Sequence, residues 1–387
     1  MAKLIATGAA QAISQIDTVT MSGTWASTET VTIKVGSKSV TYTCGSGETT
    51  STVAAALVLL CQRSNDPEFR EITWTVLSAV ITATSTAGVP VTITTSDTAA
   101  SGASAVSNVQ AATGPNHWNN IANWSTGAVP TTADEVTIAD KSIAFKYGLP
   151  TSLTLGKFQH LAGQVGLPDF NVSGYPEYRA TRAIFTCTDV VIGISQGVGP
   201  SLSRLDLASG AAVVAVYGSG QQQSLEKAAV DLLLNNAAAV VSIVSGQVAI
   251  CPGADETTEV ATVRVAVGAI VLIGEGTTLA TLLTAGNTTL QADATTVTIE
   301  DGICTLMGGA VVTNLVVQGG TCMHKTSGTI TDAVIGPGTL DCSQDIRPRT
   351  ITDLELKKGA NYRDSYRSIT VTNGIVQGSD VDIITTG

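Results

Sequence analysis

Aromatic and charged side chains are both scarce in this chain of 387 residues. Aromatic residues make up 4% and charged residues 13% of the chain, whereas hydrophobic residues reach 44%. Small and β-branched residues therefore fill much of the composition, which favours stacked strands around a narrow core. The high hydrophobic content excludes a disordered chain, because disorder requires low hydrophobicity.

Basic clusters and long apolar runs are absent as well. The net charge is -11 at pH 7 and no run of lysine or arginine occurs, so we do not expect a nucleic acid as partner. No apolar stretch has the length of a membrane helix. The first residues lack the apolar core of a signal peptide. These absences predict a protein that is made in a cytoplasm and that acts without a membrane.

The sequence also lacks the motifs of cofactor, metal and catalytic sites. The seven cysteines show neither a CxxC pair nor a Cys/His zinc spacing. An odd number of cysteines without an export signal predicts free thiols. P-loop, GxSxG, HExxH and EF-hand patterns are missing too. We therefore expect no cofactor, no metal and no enzymatic activity, and we expect a structural role for His117.

Residues 1–110 predict a small α+β domain. Alternating apolar residues on both sides of "GSK", which begins at Gly36, predict a hairpin. The next run predicts a helix that Ser51 or Thr52 caps. Its expected apolar positions are Val53, Leu57, Leu60 and Cys61. Two further strands are expected around "TAG" at 86–88. The Ser-, Ala- and Gly-rich stretch that follows predicts a linker with room for one more edge strand.

From residue 135 to residue 387, short sequence rows with strand-like alternation recur about every 16 to 22 residues. The rows of the second half start at Val240, Ala261, Leu279, Thr296, Val312, Ile330, Ile351 and Ser368. Each row has alternating aliphatic residues, a turn with glycine, and a second alternating pair. Because glycine supplies the positive φ of a corner, the pattern predicts a mainly β fold, a right-handed parallel β-helix. We interpret the segment near Gln221 as a loop that bulges from one coil.

The end of such a solenoid exposes an apolar cross-section and strand edges that must be covered. The last two tryptophans of the chain lie immediately before the first predicted coil, in the segment 111–134, which we interpret as a linker and cap. The predicted cap residues are Trp118, Asn123, Trp124, Gly127, Pro130 and Asp134. The alternative is that the two indoles form a stacking platform for a sugar.

Three rows aligned on their glycines predict two interior columns. The first column holds Cys304, Cys322 and Leu340, and the second, two residues along, holds Leu306, His324 and Cys342. Alternate residues of a strand point to the same face, and the leucines indicate that this face is the interior. We therefore expect reduced, buried thiols and a His324 that is buried and hydrogen-bonded.

The stretch "HWNNIANWSTGAVPTTADEVTI" begins at His117 and resembles a known motif, W-x-x-x-x-NWS-x-G-x-VP-x-x-x-D-x-V-x-I. This motif precedes β-helical repeats in many bacterial surface proteins and in a family of phage and prophage virion proteins. The region "GTWASTETVTIKVGSKSVTYTCG" and its continuation resemble a small domain that is common in phage structural proteins. The two features in this order, without a signal peptide, resemble the phage family best over about the first 140 residues.

The resemblance implies a noncatalytic structural protein of a phage virion that decorates or stabilises the capsid. It would be assembled into the virion in the host cytoplasm. Its expected partners are the major capsid protein or another virion protein, and further copies of itself. A trimer is favoured because capsid lattices offer threefold positions.

Two alternatives remain open. A tail-associated spike or fibre protein would bind the host surface. A polysaccharide-cleaving tailspike would need paired carboxylates, for which the candidates are Glu275, Asp293, Glu300 and Asp301. Because no Phe, Trp or Tyr lies between Tyr217 and Tyr362, a sugar groove is not expected there, and we interpret these carboxylates as a solvated face.

Overall fold

The computed structural model describes residues 2–167, 181–194, 199–208, 210, 212–220, 228–253 and 255–384. Within these residues the protein consists of a small α+β unit and a long parallel β-helix. The loop predicted near Gln221 lies outside the described residues, and the handedness of the coil stays a prediction.

The α+β unit contains two antiparallel sheets and two helices. With strands numbered along the whole chain, its elements are β2 (Ile16–Thr24), β3 (Thr30–Val35), β4 (Lys38–Thr43), α1 (Thr50–Arg63), α2 (Pro67–Arg70), β5 (Ile72–Leu77), β6 (Val80–Ser85), β7 (Ile93–Asp97) and β8 (Ser101–Gln110). The strand orders are β5-β6-β2-β8 and β4-β3-β7. Alternating Val, Ile and Thr residues direct one face of each sheet towards α1, and the buried side chains form a single cluster.

The predicted hairpin is present as β3 and β4, but the predicted cap of the helix was wrong. Helix α1 is capped by Thr49 rather than by Ser51 or Thr52, because the Thr49 hydroxyl accepts from the Thr52 amide and the Thr52 hydroxyl accepts from the Thr49 amide. Strands lie on both sides of "TAG" as predicted, β6 before it and β7 after it, but the segment before it contains a further strand, β5. Strand β5 turns into β6 at Ser78, whose φ of +54° permits a tight turn, and β7 belongs to the other sheet.

Most of the predicted linker forms an edge strand, which the sequence had allowed as a possibility for this stretch. Strand β8 pairs with β2 from Ser101 to Gln110, with Val109 as an unpaired bulge residue. Ser, Ala and Gly suggest a linker by composition, but the partner strand β2 satisfies the backbone of this segment irrespective of its side chains.

The β-helix is built from two 14-stranded parallel sheets among the residues described. The first sheet contains β1 (Lys3–Ile5), β9 (Glu135–Ile138), β12 (Lys157–His160), β15 (Asp189–Ile192), β17 (Val213–Val216), β19 (Val240–Ile243), β21 (Thr258–Val265), β23 (Thr277–Thr284), β25 (Asp293–Ile299), β27 (Val312–Val317), β29 (Ile330–Ile335), β31 (Arg349–Leu356), β33 (Ile369–Val371) and β34 (Ile375–Gln377). The second sheet contains β10 (Ala144–Phe145), β11 (Leu153–Leu155), β13 (Gln164–Val165), β14 (Ala183–Cys187), β16 (Leu202–Leu207), β18 (Val230–Leu234), β20 (Gln247–Ile250), β22 (Ile270–Ile273), β24 (Asn287–Leu290), β26 (Ile303–Leu306), β28 (Thr321–His324), β30 (Thr339–Asp341), β32 (Asn361–Arg363) and β35 (Asp382–Ile384).

Successive coils stack in register, so that one aliphatic side chain lies on the next. One buried column of the first sheet runs through Val263, Leu282, Val297, Leu315, Ala333 and Leu354. These partners are 15 to 21 residues apart, close to the predicted period. The predicted glycine corners are present too: Gly302 has a φ of +69° and Gly320 a φ of +63°. A Cβ at either position would lie within 2.5 Å of a carbonyl oxygen of the preceding coil.

The first residues of the chain belong to the solenoid rather than to the α+β unit. Strand β1 pairs with β9 in parallel, with Lys3 opposite Glu135. The predicted boundary of 1–110 for the first domain is therefore wrong at its start. The backbones of Ile13 and Thr113 exchange two hydrogen bonds where the chain leaves and re-enters the solenoid. The α+β unit is thus an insertion between β1 and β9. The two segments that connect it to the solenoid are hydrogen-bonded to each other.

Candidate functional site

The covered end of the solenoid contains a compact aromatic cluster. Trp118 and Trp124 meet edge to face with their ring centroids 4.8 Å apart, and Trp124 stacks on Phe145 at 5.1 Å. The indole nitrogen of Trp124 donates a hydrogen bond of 2.8 Å to the Trp118 carbonyl oxygen. Edge-to-face and offset-stacked rings are favourable arrangements beyond their buried area. The cluster therefore closes the apolar interior at this end.

Both indoles are enclosed, which helps to decide whether this segment is a cap or a stacking platform for a sugar. Trp118 is 2% exposed and Trp124 is 3% exposed, and both belong to the continuous core of the solenoid. A stacking platform needs an open ring face for the sugar. Neither ring offers one, so the arrangement favours the cap over the platform.

Asn123 connects three segments of the cap. Its side-chain amide nitrogen donates to the carbonyl oxygens of Gly114 at 2.9 Å and His117 at 2.7 Å, and its side-chain oxygen accepts from the Ala10 amide at 3.0 Å. The side chain is completely buried. A buried amide with partners for its donors and its acceptor holds the N-terminal segment against the tryptophan segment.

The remaining cap residues shape the turn into β9. Gly127 has a φ of +65°, which suits the tight turn after Trp124, and Pro130 is buried. Asp134 accepts hydrogen bonds from the amides of Ala2 and Thr131. These backbone hydrogen bonds, that from Thr131 first, hold the pKa of Asp134 below its usual value. Asp134 thereby ties the start of the chain to the start of the first coil.

The two predicted interior columns lie inside the solenoid. Cys304 pairs with Cys322, and Cys322 pairs with Leu340 in the next coil. His324 lies opposite Leu306. Cys342 directly follows the last residue of β30 and is buried, as are the other cysteines of the chain. The glycine alignment of the three rows therefore gives the register that the structure has.

His324 departs from the expectation in one respect. The side chain is buried as predicted, but neither ring nitrogen has a hydrogen-bond partner in the part of the chain that the structure describes. Burial, and then the neighbouring Arg349 guanidinium, lower the pKa of His324 to about 4. The guanidinium of Arg349 donates to the His324 carbonyl oxygen instead of the ring, and the buried imidazole stays neutral.

The other two histidines also lie in buried positions. A ring nitrogen of His117 lies 3.0 Å from the carbonyl oxygen of Gly88, which links the cap to the α+β unit. His160 faces the interior, where its Nδ1 lies 3.1 Å from the Ser203 hydroxyl. Burial lowers the pKa of His160 to about 3. The three histidines are far apart in the sequence. The structure does not bring them together as metal ligands or as an acid–base pair.

Burial of His160 and His324 makes stability depend on pH. Their folded pKa values of about 3 and about 4 lie below the ordinary value of 6.5, so between these limits the unfolded chain binds more protons than the folded chain. The free energy of unfolding should therefore fall as the pH falls from 6.5 to about 4, and should be insensitive to these groups above 6.5. His324→Leu should lose about 2 kcal/mol less than the wild type between pH 7 and pH 5 in urea titrations. Equal losses of unfolding free energy in both proteins would contradict this prediction.

The buried thiol column gives a second measurable consequence. Burial raises the pKa of Cys304 to about 12, which disfavours the reactive thiolate. We expect Cys304 and Cys322 to react slowly with a thiol reagent in the native protein and completely in denaturant. The matched control is Ile303→Cys, because Ile303 lies beside Cys304 but is 39% exposed; the new thiol should react quickly. Fast native labelling of Cys304 and Cys322 would show that the column faces solvent.

The carboxylates that the sequence offered for glycan cleavage are spread over the surface. Glu275, Asp293, Glu300 and Asp301 are all exposed. Asp293 accepts from the amide of Val311, and Asp301 accepts from the amide of Gly302. Glu275 lies between β22 and β23, where the chain passes from the second sheet to the first, whereas Glu300 and Asp301 lie between β25 and β26 at the opposite corner. Glu275 therefore lies at a different corner of the coil from Glu300 and Asp301.

Sequence analysis missed a buried ionic cluster on the outer side of the second sheet. The Asp231 carboxylate accepts from Arg182 at 2.9 Å and from Arg204 at 2.8 Å, and Arg182 also contacts Glu256 at 2.8 Å. The side chains of Arg182, Arg204 and Asp231 are 10% exposed or less. Burial raises the pKa of Asp231, and the two guanidinium groups oppose this effect.

The register explains how this cluster forms. Arg204 in "LSRLDL" pairs directly with Asp231 in "VDLLL" across neighbouring coils. Charged residues that alternate with leucines in two successive rows are the signal that could have revealed the pair. Nearby Asp206 is half-buried, and burial raises its pKa while Arg182 opposes the rise. Among the residues described, the guanidinium groups and carboxylates of this cluster bond to one another, as in a structural ion network.

Three further findings concern metal sites, membrane-spanning helices and known relatives. No three or more His, Cys, Asp or Glu side chains among the residues described are grouped so that they could hold a metal ion. No helix in the described ranges is long and apolar enough to cross a membrane. Comparison of the chain with protein-family models, with curated proteins and with solved structures found no match.

Proposed function

We propose that the chain is a noncatalytic structural protein of a phage virion, which decorates or stabilises the capsid. The observation that supports this proposal best is the closed end of the solenoid. There a motif of the kind seen before virion β-helices seals the core and carries an inserted α+β unit. A long solenoid suits a building element, because each coil packs on its neighbours and the stability sums over these interfaces.

The α+β unit is the proposed anchor on the shell. It joins the solenoid through two antiparallel segments that hydrogen-bond to each other at Ile13 and Thr113, and the His117 ring contacts its Gly88 carbonyl oxygen. The solenoid would then lie over the shell or project from it. The major capsid protein or another virion protein is the proposed partner, and several copies, arranged as trimers, would occupy each particle.

The anchor is tested by replacing residues 16–110 with a short Gly/Ser linker. This deletion retains β1, which the solenoid needs. The variant should keep a strand-type far-UV spectrum and should no longer be incorporated into particles. If the folded variant still attaches, the anchor assignment fails.

The matched control changes the solenoid surface. A variant with Glu275, Asp293, Glu300 and Asp301 replaced by their amides should attach like the wild type. Cryo-EM of intact particles distinguishes a head position from the tail position that a spike or fibre protein would have. Cleavage of host capsule by the wild type, lost in the quadruple variant, would favour the tailspike alternative.

A further inference from the structure

The outer edge of β8 is open along half of its length. Strand β8 has ten residues, pairs with β2 on one side, and is the edge of its sheet. On the other side, the carboxylate of Asp97 accepts from the backbone amide of Ser104 at 2.9 Å and from its hydroxyl at 2.7 Å. No strand of the described residues pairs with the outer edge of 105–110.

The hydrogen bond at Ser104 shows which backbone groups point outwards. The Ser104 amide is directed at Asp97 and therefore away from β2. In an antiparallel pair, backbone groups alternate in direction from one residue to the next. Val106 and Asn108 therefore also direct their N–H and C=O groups away from β2. These two residues present two donors and two acceptors in a row at the free edge.

The side chains of this strand do not protect the edge. Natural edge strands are commonly blocked by lysine, by proline or by a bulge. The segment Ser101–Gln110 contains no charged residue and no proline, although the whole chain carries a net charge of -11. Its pairing with β2 has one bulge, at Val109, because Asn108 pairs with Asp17 and Gln110 pairs with the adjacent Ile16. Val106 and Asn108 precede this bulge, and Val109 is 63% exposed.

We propose that residues 105–109 of β8 pair with the same residues of a second copy of this chain. The charge distribution favours a second copy, because this uncharged strip lets two acidic molecules approach without placing like charges opposite each other. A twofold axis at Ser107 places Val106 opposite Asn108 of the second copy. The four-stranded sheets of both copies, antiparallel throughout, then join into one sheet.

This pairing is independent of the proposed function, since it concerns any two copies in solution or on a surface. Four hydrogen bonds along a short edge make a weak contact. The pairing therefore forms where copies are concentrated, and its effect grows when the copies are held side by side.

The test uses the full chain and two variants that block the edge in different ways. Val106→Pro removes an outward N–H without removing a hydrogen bond to β2. Ser107→Lys places two like charges opposite each other across the proposed axis. Ser39→Lys is the control, because Ser39 is exposed on the other sheet and adds the same charge away from β8.

The expected result is a dimer whose fraction rises with concentration for the wild type and for Ser39→Lys in sedimentation velocity. Amide exchange of 105–109 should slow at least several-fold as concentration rises. Val106→Pro and Ser107→Lys should stay monomeric with an unchanged far-UV spectrum. The proposal is overturned if the wild type stays monomeric without slowed exchange at every concentration, or if Ser107→Lys dimerises like the control. Protection of 105–109 only in the presence of another virion protein also overturns it and assigns the edge to that protein.

Discussion

Replacing Trp124 with alanine is expected to destabilise the first coils of the solenoid by about 3 to 5 kcal/mol. The substitution removes a ring that stacks on Phe145 and meets Trp118, and it leaves a cavity at the closed end of the core. It also removes the indole hydrogen bond to the Trp118 carbonyl oxygen, which would then be buried without this donor. Urea unfolding followed by far-UV circular dichroism measures the change.

The matched control for this prediction is Ile121→Ala. Ile121 lies three residues before Trp124 but is 59% exposed, so its truncation should change the free energy of unfolding by less than about 0.5 kcal/mol. A Trp124→Ala protein that is as stable as this control, but that has lost binding to a surface glycan, would establish the platform interpretation instead of the cap.

Asp231→Asn is expected to cost about 3 to 5 kcal/mol, because it leaves two buried guanidinium groups without their shared anion. Arg182 would retain Glu256, and Arg204 would still donate to the Leu167 carbonyl oxygen. The measurement is again the free energy of unfolding at neutral pH. An unchanged value would show that the cluster is not an ion network that the fold depends on.

The control for the ionic cluster is Asp189→Asn. Asp189 forms an ion pair of 2.8 Å with Lys157, but the two side chains are 51% and 33% exposed. Solvent screens such a pair, so its loss should cost less than about 1 kcal/mol. If Asp189→Asn and Asp231→Asn lowered the free energy of unfolding by similar amounts, burial would not be the reason that the Asp231 cluster stabilises the fold.

The repeat pattern was sufficient to predict the main architecture and part of the interior. Alternating aliphatic residues and glycine corners are local signals, and each coil repeats them within about 20 residues. Aligning three rows on their glycines gave the stacking of Cys304 on Cys322, because in-register parallel coils translate a sequence alignment directly into neighbours in space. The position of the cap before the first coil followed from the need to cover an open core.

Contacts between distant segments could not be predicted in the same way. Strand β1 is three residues long, and its partner Glu135–Ile138 lies more than a hundred residues further along the chain, so no periodicity announces it. Among the residues described, the His324 ring has no hydrogen-bond partner, and the alternation of apolar and polar residues predicts burial but not hydrogen bonding.

The sequence by itself therefore determined the parallel solenoid, the direction in which its side chains point and the place of its aromatic cap. Only the tertiary structure decided that the α+β unit is an insertion and that Arg182, Arg204 and Asp231 share one buried cluster. The physical reason is the range of the interactions. Strand alternation and corner glycines act within one coil, whereas insertion and ion pairing depend on which segments the folded coils bring together.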